Sequence, residues 1–347
     1  MFSAPILLSF TLLLTVPFLF FFDPRNLPPK RHLISLPKDI DDASLFRRAI
    51  LSSVQPRRVI SRRGATNVKP KIAFLFLTNT DLHFAPLWEK FFDSRKSRKQ
   101  DLYNIYVHAY PKSDVKSPGG VFENRFIVAR KTHRASPTLI SAARRLLATA
   151  ILDDPLNSYF ALVSQTCIPL HSFRYMYKTL FQRPAESTRL SFIEVLSEEP
   201  QLWDRYIARG ENVMLPEIPF DKFRVGSQFF ILTRAHSLMV VKDRKLWKKF
   251  RLPCLNVDTC YPEEHYFPTL LSMKDPNRVS KHTLTRVNWT GSVDGHPHTY
   301  LPPEVSPELI QTLRVSNSTF SYFFARKFSP DCLPELMEIA DGVIFRD

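Results

Sequence analysis

Three short stretches gather side chains that could do chemistry. The densest is CLNVDTCYPEEHYFPTLL over 254–271, where Glu263, Glu264 and His265 follow Pro262. A carboxylate at a strand-to-helix junction could take a proton from a hydroxyl as a general base. After a proline the same two acids also suit the first turn of a helix, where the macrodipole favours negative charge. Spacing alone leaves both readings open. His265 beside two adjacent acids has poor spacing for a metal site and reads as a hydrogen-bonded structural histidine. Cys254 and Cys260 could close a short disulfide in an oxidising compartment, or stand as two buried thiols. The second stretch, SYFFARKFSP over 321–330, delivers Arg326 and Lys327 at the end of an aromatic run. Such a doublet is either a snorkelling surface pair or a clamp for a phosphate or diphosphate. The third, VNWTGSVDGHPHTY over 287–300, sets Trp289, Asp294, His296 and His298 on a Gly/Pro loop. Trp and His there could hold a sugar by stacking and hydrogen bonding. Two His residues at i, i+2 could also bind a metal, although nothing nearby completes a site.

These residues need elements to bring them together. KIAFLFLTN over 71–79 is a continuous apolar run behind Pro70 and reads as a buried parallel strand. LYNIYVHAY over 102–110 and YFALVSQ over 159–165 read as two more strands, and SQFFIL over 227–232 as a fourth. Helical spacing is expected at 87–92, 138–152, 173–181, 235–250 and 263–272, with Pro-rich loops after about 275. Strands alternating with helices imply an α/β fold, a mixed and mostly parallel sheet with helices on both faces. Its strand C-termini share one edge, where ligands of such sheets bind. The polar residues falling there are Thr78, Asn79, Thr80, His108, Ser164, Gln165 and Thr166.

Composition removes several classes. The chain has 347 residues with a net charge of +15, and its 44% hydrophobic and 23% charged content fits a folded domain, not a disordered one. Only 8 Gly leave no GxGxxG and no P-loop, which disfavours dinucleotide binding and P-loop chemistry. There is no HExxH, no GxSxG elbow and no CxxC pair. An Asp-x-Asp at a strand end is a common way for nucleotide-sugar-binding folds to hold a divalent cation. The one such motif here, Asp39-Ile40-Asp41, lies far from any expected strand, so a diphosphate would have to be held by the protein's own cations.

The N-terminus adds a compartment. Residues 5–22 form an uncharged apolar run of 18 residues, at the lower edge of what spans a bilayer, with no small-residue cleavage site behind it. An uncleaved signal anchor is expected. Arg25, Lys30 and Arg31 after the run favour a cytoplasmic remainder, while the sequons at Asn288 and Asn317 favour a lumenal one. Residues 23–69 hold eleven Lys/Arg against four Asp, net +7, and read as a solvated basic stem. Nucleic-acid binding is not expected, because no aromatic residues interleave the arginines.

In order across 71–330, KIAFLFLTN, YNIYVHAYP, FALVSQTCIPL, FRVGSQFFILTRAHS, CYPEEHYFPTLL, VNWTG with DGHPHTY, and FFARKFSP resemble the core-2/I-branching enzyme family, glycosyltransferase family 14, and most of all its plant branch. The resemblance implies a GT-A-like fold. It also implies a single-pass type II Golgi protein, with a cytoplasmic N-terminus over 1–4, an anchor over 5–22, a stem over 23–69 and a lumenal catalytic domain over 70–347. It implies inverting transfer from a UDP-sugar to a glycan or glycoprotein hydroxyl, with no metal or other cofactor. Characterised animal members move N-acetylglucosamine, and relatives move xylose or glucuronic acid. By the same resemblance Glu264 is the catalytic base, and Lys327 with Arg326 binds the diphosphate. A second family arginine has no clear counterpart, Arg314 being the candidate. Thr78, Asn79 and His108 are expected beside the uridine, and Gly226, Ser227, Gln228 and Trp289 on the acceptor side. A membrane-tethered glycan-binding protein without turnover would share the fold; the presence of both Glu264 and Lys327 speaks against it.

Overall fold

A computed structural model describes residues 40–54, 69–93, 102–181, 189–292 and 295–347. In chain order these form α1 (Ile40–Val54), β1 (Lys71–Thr78), α2 (Ala85–Phe92), β2 (Tyr103–Ala109), α3 (Pro137–Asp153), β3 (Asn157–Ser164), β4 (Ile168–Pro169) and α4 (Phe173–Phe181). There follow α5 (Leu202–Ile207), β5 (Ile231–Thr233), α6 (Arg234–Lys242), α7 (Lys245–Phe250), α8 (Tyr266–Lys274), β6 (Thr285–Val287), α9 (Pro307–Arg314), β7 (Phe324–Arg326) and α10 (Leu333–Ile339).

The main sheet has the order β2-β1-β3-β5. β1 pairs in parallel with both β2 and β3, and β5 runs antiparallel to β3. β1 is buried on both faces, as its unbroken apolar run requires. Its side chains alternate between two cores. Ile72, Phe74 and Phe76 enter an aromatic core with Trp88, Phe91 and Phe92 of α2. Ala73, Leu75 and Leu77 enter a second core with α3 and α8. Phe74 packs edge-on against Phe92, ring centroids 4.9 Å apart. This is the mixed α/β sandwich that strand-helix alternation implies.

Several elements differ from expectation, each for a local reason. β5 begins at Ile231, not at Ser227. The chain before it is drawn away from the sheet by the Gly226 amide, which donates to the Glu264 carbonyl at 2.9 Å. The helix expected over 235–250 breaks in two at Asp243. That buried carboxylate accepts from the amides of Leu246 and Trp247 and from the Tyr266 hydroxyl, so it holds the first turn of α7 while its own extended backbone ends α6. The acidic block is a 3-10 turn over Pro262–Glu264 that precedes α8. The stretch after 275 is not simply loop: its strands β6 and β7 join β4, from earlier in the chain, in a second small sheet that carries Arg326 at its end. Its strands are two or three residues long, too short to show a period of two.

Part of the expected stem is folded. α1 packs on α3, with Ala49 fully buried, and Arg145 forks onto Asp42 with Nε–Oδ1 at 2.8 Å and Nη2–Oδ2 at 2.5 Å. The reading of a solvated linker over 23–69 therefore gives way over these residues. The apolar run over 5–22 lies outside the described residues. Among the described residues, no helix is long and apolar enough to cross a membrane.

Candidate active site

A cleft of about 930 Å³ opens at the C-terminal edge of β1 and β3, where parallel sheets place their ligands. Its floor is Thr78, Asn79, Ser164, Gln165 and Thr166. Gln165 Nε2 donates to Asn79 Oδ1 at 2.6 Å, tying the two strand ends together.

One wall is acidic. Glu264 faces the cleft, and its Oε2 accepts from Arg205 Nη1 at 3.0 Å. Arg205, on α5, also approaches Glu199 at 3.7 Å and lies 5.4 Å from the Tyr261 ring centroid. Burial raises the Glu264 pKa, while Arg205, Arg326 and Arg134 pull it back. Glu263 is buried more deeply. Its Oε1 accepts from the Ala135 amide at 3.0 Å, and its Oε2 has no hydrogen-bond partner. Burial, with the Glu264 charge beside it, pushes its pKa up to about 8. Tyr261, two residues before Glu263, and Ala135, the donor of this contact, are both left-handed at φ +34° and +54°. Non-glycine residues in that region cost on the order of 1–2 kcal/mol each, a strain that tertiary contacts must hold.

Gly226 is required where it stands. A Cβ there would lie 2.0 Å from the Glu194 carbonyl oxygen. Ser227, Gln228 and Glu194 line the same wall. The Cys254–Cys260 disulfide, with Cα atoms 6.3 Å apart, anchors the segment that leads into Tyr261. His265 is wholly buried, donates from Nδ1 to the Arg224 carbonyl and stacks on Phe223. Burial drives its pKa down to about 3, so it is a neutral structural residue and does not face the cleft.

The other wall is basic. Arg326 leaves the end of β7 with its guanidinium 4.3 Å from the Phe229 ring centroid and its Nε without a hydrogen-bond partner. Lys327 follows it and approaches His296 Nδ1 at 3.4 Å. Burial and the neighbouring Arg326 and Arg134 charges lower the pKa of Lys327. Trp289 stands on this side, 52% exposed. Among the described residues no three His, Cys, Asp or Glu side chains come together in a way that could hold a metal ion.

Of the expected site residues, Glu264, Lys327, Arg326, Thr78, Asn79, Gly226, Ser227, Gln228 and Trp289 all line this one cleft. His108 does not. It points toward α3, fully buried, where its Nε2 accepts from the Arg130 amide at 3.1 Å beside Arg145. Arg314 is also elsewhere, spent on the carbonyls of Leu170, Val343 and Ile344. Asn317 is exposed, and Asn288 is half-buried with Oδ1 accepting from the Thr290 amide. The sequence reading missed Arg134, Arg205 and Glu194. They stand in weakly patterned segments, and only the fold brings them to the acids.

A family model described as core-2/I-branching enzyme matches residues 72–314, a stretch that runs from β1 to the end of α9 and contains the whole acidic wall. The chain belongs to the core-2/I-branching enzyme family. It is also similar to Glycosyltransferase BC10 of Oryza sativa subsp. japonica, 29% identical over 276 residues, an alignment covering 70% of this chain and 65% of that protein. The chain thus spans a little under two thirds of that relative. Glu263, Glu264, Arg326 and Lys327, which the sequence blocks single out, all line this one cleft.

Proposed function

We propose that this chain is an inverting, metal-independent glycosyltransferase that moves N-acetylglucosamine from a UDP-sugar to a glycan hydroxyl. One observation carries the reading: Glu264 and Lys327, sixty-three positions apart in sequence, line the same cleft. Family membership and the likeness to a plant glycosyltransferase support it.

In this mechanism the acceptor hydroxyl lies against Glu264. The carboxylate takes its proton as the oxygen attacks the anomeric carbon from the side opposite UDP. One carboxylate suffices for a single displacement with inversion. Burial makes Glu264 a stronger base than an exposed carboxylate, while Arg205 keeps it ionised and aimed. The departing UDP gains negative charge. Arg326, whose guanidinium is withdrawn from solvent, and the half-buried Lys327 stabilise it. Cations of the protein thus take the part a metal ion would otherwise play. The loop carrying Trp289 supplies an aromatic face for a sugar ring. The same reading places the enzyme on the Golgi membrane through the 5–22 anchor, with the catalytic domain in the lumen.

The test is turnover of a panel of UDP-sugars, including UDP-N-acetylglucosamine, UDP-glucuronic acid and UDP-xylose, with and without EDTA. EDTA-resistant transfer is expected, with the first donor preferred. Glu264→Gln should lower kcat by about 10²–10⁴-fold and leave UDP affinity close to that of the native protein. Unchanged transfer by that variant would remove Glu264 from the mechanism. Glycan binding without UDP binding would instead mark a lectin-like protein.

A further inference from the structure

The basic wall contains a third cation that neither the sequence blocks nor the family's doublet supplies. Arg134 lies in the turn before α3 and lines the same cleft as Arg326 and Lys327. Its Nη1 donates to His296 Nε2 at 2.5 Å and its Nη2 to the Gly295 carbonyl at 3.2 Å. Its guanidinium is 5.7 Å from the Tyr261 ring centroid. Its charge acts on Glu263 and Glu264 on one side and on Arg326 and Lys327 on the other. Two cations therefore meet at one imidazole, with Arg326 lining the same cleft. Arg134 and Lys327 approach its two nitrogens, at 2.5 and 3.4 Å. A neutral imidazole accepts through only one of them. The other cation has no hydrogen bond from that ring, and Arg326 Nε has no partner either.

We infer that Arg134 is a donor-binding residue that grips the diphosphate of the nucleotide together with Lys327. This rests on the proposed UDP-sugar chemistry and names a residue that chemistry needs. The expected counterpart of the second family arginine, Arg314, is held by three backbone carbonyls and does not line the cleft. Arg134 fills the vacancy from a different element. Its planar fork suits two phosphate oxygens at once, where Lys327 acts as a point charge. The turn is fixed for the purpose: the next amide, Ala135, donates to Glu263, and Ser136 caps α3. Acid wall and diphosphate site are thereby linked through two adjacent residues.

The experiment is calorimetric titration of the full chain with UDP and, separately, with uridine. Arg134→Ala should weaken UDP binding about tenfold or more, the loss expected for a charge-assisted hydrogen bond, and leave uridine binding unchanged. Arg134→Lys should recover part of the loss. Lys131→Ala, an exposed charge three positions away and outside the cleft, controls for net charge and should bind UDP as the native protein does. Arg134→Gln, closer in shape, serves if the alanine variant unfolds. UDP affinity within twofold of native in the Arg134 variants, with Lys327→Ala strongly weakened, would overturn the assignment while leaving the proposed function intact. Absence of UDP binding by the native chain would instead bring down that function, and this assignment with it.

Discussion

Glu263 and Glu264 are adjacent, chemically identical and placed in opposite situations. Glu264 meets an arginine and the open cleft, whereas Glu263 meets an amide and an apolar interior. Two like charges side by side in a desolvated site push one carboxyl toward its neutral form, and the deeper one yields. With its pKa raised to about 8, Glu263 keeps a proton in the folded protein that it loses when unfolded. The sign follows from linkage. The stabilisation is complete below the ordinary glutamate pKa and is lost as pH rises through about 8. Glu263→Gln mimics the protonated acid and keeps an oxygen for the Ala135 amide. Its melting temperature is expected to exceed that of the native protein at pH 9 and to converge with it near pH 5. Thermal unfolding across that range checks this, and a constant difference at every pH would mean that Glu263 is ionised throughout.

At the scale of elements, the site depends on a close approach between the Gly226 segment and the acidic turn. Gly226 donates its amide to the Glu264 carbonyl and leaves no room for a side chain against Glu194. Because the contact beneath it is backbone, Gly226→Ala cannot be absorbed by a rotamer change. Overpacking of this kind costs about 1–3 kcal/mol, and it moves the base. Chemical denaturation should show the loss of stability, and kcat should fall even where the variant remains folded; native stability in the variant would mean the two segments can separate freely. The sequence made much of this scale legible. β1, β2, β3, α3 and α4 lie within about two residues of where periodicity and proline stops put them, because their burial pattern is local information. β5 was legible only in part, since the strand expected over 227–232 shares just Ile231 and Leu232 with it, and β6 and β7 were not legible as such. Each owes its existence to partners far along the chain, and three residues carry no periodic signal.

For the whole molecule, the same division decides which site residues could be read in advance. Glu264 and Lys327 sit in dense local blocks, whereas Arg134, Arg205 and Glu194 become neighbours only when the sheet, α3 and α5 assemble. His108 shows the converse: the strand end was right, but the side-chain direction was set by α3 and the buried Arg145. That arginine also ties α1 into the fold. The pair with Asp42 is largely excluded from solvent, with side chains 6% and 10% exposed, and breaking such a pair from one side costs about 3–5 kcal/mol because a buried charge is left alone. Asp42→Ala should therefore lose stability on that scale in denaturant titration. The paired replacement Asp42→Leu with Arg145→Met should lose much less, since both charges leave together. A fragment beginning at residue 70 removes α1 altogether and uncovers the face of α3 on which Ala49 packs, so it should melt below one beginning at residue 36. UDP affinity in Asp42→Ala should stay native at a temperature where it is folded, because neither Asp42 nor Arg145 lines the cleft. Equal melting temperatures for the two fragments would return α1 to the role of a linker.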